Sequence, residues 1–110
     1  MHGPPTNPKT IEWNLGFARD EVISGLEKLL TQGGYEYTRT EIDAEVHFQA
    51  TVSPGSIALK VQPLPASTSP FNVHIFFHRT LLLMAFTDVK TQEEESFMRR
   101  LTLTFLRAGG

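Results

Sequence analysis

Apolar residues recur at every second position through most of this chain and at helical spacing in just two stretches, a pattern that few folds satisfy. Thr10 to Leu15 alternates, with Ile11, Trp13 and Leu15 on one side and Thr10, Glu12 and Asn14 on the other, the signature of a half-buried strand. From about Ala18 to Thr31 the period changes. Val22, Ile23, Leu26, Leu29 and Leu30 fall within one arc at about 100° per residue, opposite Ser24, Lys28 and Thr31. Asp20 and Glu21 favour the first turn of that helix, and Gly33-Gly34 supplies a left-handed stop.

Alternation then resumes. Tyr35 to Val52 has no Gly or Pro, but Tyr35 and Tyr37 are odd-numbered whereas Ile42, Ala44, Val46, Phe48, Ala50 and Val52 are even. The change of phase predicts a bulge or bend near Arg39 to Glu41 within one long strand. Ser53-Pro54-Gly55-Ser56 reads as a turn into Ile57, Leu59 and Val61, and Gln62 to Pro70 as a proline-stiffened loop. Phe71, Val73, Ile75 and Phe77 predict the next strand, and Leu81 to Thr87 the last. That last run is apolar on both faces, as in a central, well-covered strand. Thr91-Gln92-Glu93-Glu94 has capping-box spacing, with Thr91 as N-cap, before a helix that runs toward Arg107 and buries Phe97, Met98, Leu101 and Phe105. Leu101, Leu103 and Phe105 also alternate, so a terminal strand competes over 101–106; the capping box and the spacing of Phe97, Leu101 and Phe105 favour the helix. The fold class is therefore α+β, β-α-β-β-β-β-α, with one antiparallel sheet carrying two helices on one face.

The 110 residues make one domain, expected over 9–108, with 1–8 an unstructured lead-in and 109–110 a flexible glycine tail. Ten Lys and Arg against twelve Asp and Glu give a formal charge of −2, which disfavours nucleic acid as a partner. The chain has no cysteine, hence neither disulfides nor thiolate metal sites, which fits a cytoplasmic setting. The longest apolar run, Leu81 to Phe86, is far too short to cross a bilayer.

Catalytic signals are weak. His74 and His78 share a strand face but lie about 13 Å apart at strand rise, too far for one metal ion. His47 sits between Glu45 and Gln49 on a polar strand face, where a site shared with His74 needs a particular register. Asp43 and Glu45 lie on the same polar side, with no reason to be desolvated. No nucleophile elbow or phosphate-cradling glycine loop occurs. The expectation is a protein that is no enzyme and holds no cofactor or metal.

Binding signals are clearer. Arg99, Arg100 and Arg107 occupy one arc of the second helix facing away from Phe97, Leu101 and Phe105, with Leu103 in its middle and Lys90 just before it. Basic heads around an apolar tip suit an anionic membrane surface or a protein partner; a solvated face is the competing reading. The terminal Gly109-Gly110 resembles the tail of ubiquitin-like modifiers, although glycine after a helix is also an ordinary stop. A third reading is a small-molecule pocket between sheet and helices, lined by Trp13, Phe48 and Phe77.

The order of elements, with Ile11-Glu12-Trp13 opening it, Val22 to Leu30 as first helix, Gly34-Tyr35-Glu36-Tyr37 entering the sheet and Ile57-Ala58-Leu59-Lys60-Val61-Gln62-Pro63-Leu64-Pro65 following, resembles a known family. It is similar to the kinase-associated C-terminal domain of microtubule-affinity-regulating, checkpoint and related kinases, over about residues 9 to 107. TATA-binding-protein-like and helix-grip domains share much of the layout. The resemblance implies a non-catalytic regulatory module, cytoplasmic or peripheral at a membrane, that binds anionic phospholipid and can hold its own kinase catalytic domain inactive. Lys90, Arg99, Arg100 and Arg107, with Arg79 at a strand turn, are the positions here that would serve.

Overall fold

The computed structural model describes residues 9–68, 71 and 76–105. Along the chain come β1 (Lys9–Leu15), α1 (Arg19–Gln32), β2 (Glu36–Ile42), β3 (Glu45–Val52), β4 (Gly55–Thr68), β5 (Phe76–Thr87) and α2 (Thr91–Phe105). The strands form one sheet in the order β1-β5-β4-β3-β2, with every neighbouring pair antiparallel. The α+β layout expected from the alternation is the observed one.

Register explains which face is buried. Phe48 lies opposite Leu59, Leu59 opposite Met84, and Met84 opposite Ile11, so one row of apolar side chains crosses four strands. Flanking rows add Val46, Val61 and Leu82 on one side and Ala50, Ile57 and Phe86 on the other, all buried. Onto this face α1 packs Val22, Ile23, Leu26, Leu29 and Leu30, and α2 packs Phe97, Leu101 and Phe105, which close a single core. Phe97 sits in an aromatic slot, edge-on to Tyr35 (5.9 Å between ring centroids) and to Phe86 (5.8 Å). The buried hydroxyl of Thr80 donates to the Phe17 carbonyl at 2.7 Å, so its burial carries no unpaired group.

The helix ends follow local chemistry. Ala18 offers no side-chain acceptor at the start of α1, but the Glu21 carboxylate accepts from its N–H at 3.3 Å. At the other end Gly34 takes φ of 74°, the Tyr35 N–H reaches the Leu30 carbonyl and the Gly34 N–H reaches Thr31, closing a Schellman cap. For α2 the expected cap shifts by one residue. Thr91 is already helical, the Glu94 N–H bonds the Lys90 carbonyl, and the Glu94 carboxylate pairs with Lys9 of β1 at 2.5 Å instead of reaching back to Thr91.

Three boundaries differ from the sequence reading. Instead of a bulge or bend near Arg39 to Glu41, a two-residue turn at Asp43-Ala44 folds β2 against β3, with Asp43 at φ 57°. Ile42 opposite Glu45 pairs odd positions with even ones, which is why Tyr37 shares the core face with Ala50. The proline-containing stretch after Val61 is not a loop up to Pro70, since β4 continues to Thr68 along β5. Beyond Val61 the β3 partner has ended, so Pro63 and Pro65 stand where β4 has a neighbour on one side only, β5. Finally, Phe77 and Leu81 to Thr87 belong to one strand, while most of the strand expected at Phe71 to Phe77 lies outside the described residues. The run 101–105 is helical, which removes the terminal-strand alternative there.

Candidate functional site

The helical wheel of α2 holds in three dimensions. Phe97, Leu101 and Phe105 are buried, and Arg99, Arg100 and Leu103 are exposed, with Leu103 55% accessible. Arg100 leans toward Tyr35, forming one wall of a shallow polar depression of about 320 Å³ that also takes in Ser53, Glu93 and Ser96. Burial pushes the Tyr35 phenol pKa above its ordinary value; the Arg100 charge opposes that shift and Glu93 adds to it. Lys90 is exposed just ahead of the helix. Arg79 is exposed in β5, opposite Leu64. Arg107, Gly109 and Gly110 lie outside the described residues.

The histidines and carboxylates are distributed as follows. His74 lies outside the described residues, and His78 is exposed near the start of β5. His47 faces Lys60 across the β3–β4 ladder, and both reach Glu45: His47 Nε2 at 3.2 Å and Lys60 Nζ at 3.6 Å. Asp43 is exposed in the β2–β3 turn. Among the described residues no three His, Asp or Glu side chains come together as a metal ligand set. None of the helices described is long and apolar enough to cross a membrane.

Between sheet and helices, the described apolar side chains form a buried core. Phe48, placed in a pocket there by the sequence reading, is 1% accessible, and Trp13 is packed against the core at its edge. Phe77 falls in β5, and its side chain is not among those described. A cavity lies on the opposite face of the sheet, where neither described helix packs. It measures about 650 Å³ and draws its lining from all five strands, so the sheet curls around it. One register row across its floor reads Thr40, His47, Lys60, Leu83, Glu12, and the next reads Thr38, Gln49, Ala58, Ala85, Thr10. Leu81, Leu83 and Ala85 are the second apolar face of the run read as a fully covered strand. The strand is internal to the sheet, between β1 and β4, but helices cover only one of its faces. That doubly apolar run was the one sequence signal for the cavity.

The chain matches no protein-family model, no curated protein and no solved structure.

Proposed function

We propose that this chain is a non-catalytic regulatory module of the kinase-associated kind, which meets an anionic phospholipid surface with the outer face of α2. The observation that carries the reading is Leu103, 55% accessible in the middle of an arc flanked by the exposed Arg99 and Arg100. An apolar tip between two guanidinium groups can enter the headgroup boundary while the charges stay at phosphate level. The acidic first turn is partly neutralised, since Glu94 is held by Lys9 and Glu93 sits close enough to act on Tyr35 beside Arg100. The polar depression next to Arg100 offers hydroxyls from Tyr35, Ser53 and Ser96 to a headgroup. The same face would serve a protein contact with a kinase catalytic domain.

Co-sedimentation with phosphatidylserine-containing vesicles tests the lipid reading. Binding should weaken as salt rises from about 50 to about 300 mM. Arg99→Glu/Arg100→Glu should lower it at least about tenfold, each basic residue near an anionic surface contributing about 1 kcal/mol. Binding indifferent to both salt and charge reversal overturns the reading.

A further inference from the structure

The cavity on the open sheet face belongs neither to the α2 surface nor to the core, and its lining has a definite chemistry. We propose that it is a binding site for a small amphiphilic carboxylate, an acid with an apolar chain or ring. Its volume of about 650 Å³ lies within the range of small-molecule sites. The floor is apolar at its centre: Ala58 pairs with Ala85, and Leu83 stands beside them, half-buried although neither described helix packs over it. Two alanines on adjacent strands leave a low floor on which a chain or ring can lie, with Leu83 as its flank.

The polar groups give the cavity a direction. Lys60 is half-buried and its ammonium has one charged neighbour among the described residues, Glu45 at 3.6 Å, beyond hydrogen-bond length for a nitrogen donor. Its three N–H donors are therefore open to a ligand. His47 stands next to it, also half-buried, with Nε2 3.2 Å from the same Glu45 carboxylate. Glu12 lies beyond Leu83 on the far side of the same row, exposed, with no ion pair among the described residues. An anionic head is drawn to Lys60, the one cation lining the cavity among the described residues, whose neighbour Glu45 lies outside that lining. It is repelled from Glu12, and its apolar body then crosses Leu83, Ala58 and Ala85. Among the carboxylates that line the cavity a cationic head would find Glu12 alone, exposed, where water screens the attraction more than at half-buried Lys60.

Decanoate, decanol and decylamine, titrated by calorimetry and by amide chemical-shift mapping, test the assignment. Decanoate should shift the amides of Ala58, Lys60, Leu83 and Ala85 and leave α2 unmoved. Decanol and decylamine should bind at least about tenfold more weakly, the loss expected when a charge-assisted hydrogen bond is removed. Lys60→Met, which keeps the stem and removes the charge, should bring decanoate down to the decanol level without altering decanol. Arg99→Glu/Arg100→Glu should leave decanoate binding intact, so failure here and failure of the vesicle assay are separate results. Equal affinity for the three probes, shifts on the helical face, or unchanged decanoate binding by Lys60→Met would each overturn the site. So would concentration-dependent dimerisation that moves the same amides without any probe.

Discussion

Tyr35 does three jobs within one side chain and its own N–H. It closes the cap of α1, stacks edge-on against Phe97 and stands beside Arg100. Burial raises its phenol pKa, so the folded protein holds that proton more tightly than the unfolded chain does. The stability it contributes is whole below about pH 10 and is lost as pH rises through the elevated folded value. In a Tyr37→Phe background, tyrosinate absorbance should show a midpoint above 10, moving higher still in Arg100→Met and lower in Glu93→Gln. Gly55 poses a steric question instead. A Cβ there would stand 2.0 Å from the Thr87 carbonyl oxygen and 2.4 Å from the backbone of Asp88, and backbone cannot rotate away as a side chain can. Gly55→Ala should cost about 2–4 kcal/mol in urea unfolding, whereas Gly16→Ala, with no heavy atom within 4 Å, should stay within about 0.5 kcal/mol.

At the scale of elements, α2 separates stability from contact on its two sides. Phe97 is fully buried between Tyr35 and Phe86, and Leu103 stands in solvent. Phe97→Ala should destabilise by about 3–5 kcal/mol, and Leu103→Ala by less than about 0.5 kcal/mol; chemical denaturation measures both. If the α2 reading holds, the second substitution nevertheless weakens vesicle binding. The helices approach closely at Gly25, where a Cβ would lie 2.8 Å from the Phe105 ring. The β2–β3 hairpin shows how a strand pattern can be read correctly and assigned to the wrong device. The change of phase between Tyr37 and Val46 was visible in the residues, and both a bulge and a two-residue turn produce it. Asp43 with its positive φ selects the turn, and Arg39 fastens the hairpin to α1 through Glu27 while also bridging Glu41. Those carboxylates, Glu27 foremost, raise the guanidinium pKa.

For the whole molecule the decisive fact is that, among the described residues, two helices cover one face of a five-stranded sheet and neither covers the other. The two proposed contacts therefore lie on opposite sides of the domain: basic residues and Leu103 outward from α2, Lys60 and the apolar floor on the bare sheet. Vesicle binding and carboxylate binding should respond to separate substitutions, Arg99 and Arg100 for one and Lys60 for the other, because the packed core lies between them.

The strand and helix periods determined the α+β class, the two helices and the buried side of each, because alternation and helical spacing are local properties that survive without knowledge of partners. The outer arc of α2 was legible for the same reason: a helix presents its own faces. Strand order, the hairpin at Asp43-Ala44 and the length of β4 depend on which strand lies beside which, and residues far apart in the chain decide that. The cavity is the clearest case. Glu12, Lys60 and Leu83 are separated by dozens of positions and share a row only because β5 lies between β1 and β4. Apolar residues on both faces of Leu81 to Phe86 announced that each face meets something other than bulk water. Only the packing of both helices onto one side showed which face the core fills and which is left as a cradle.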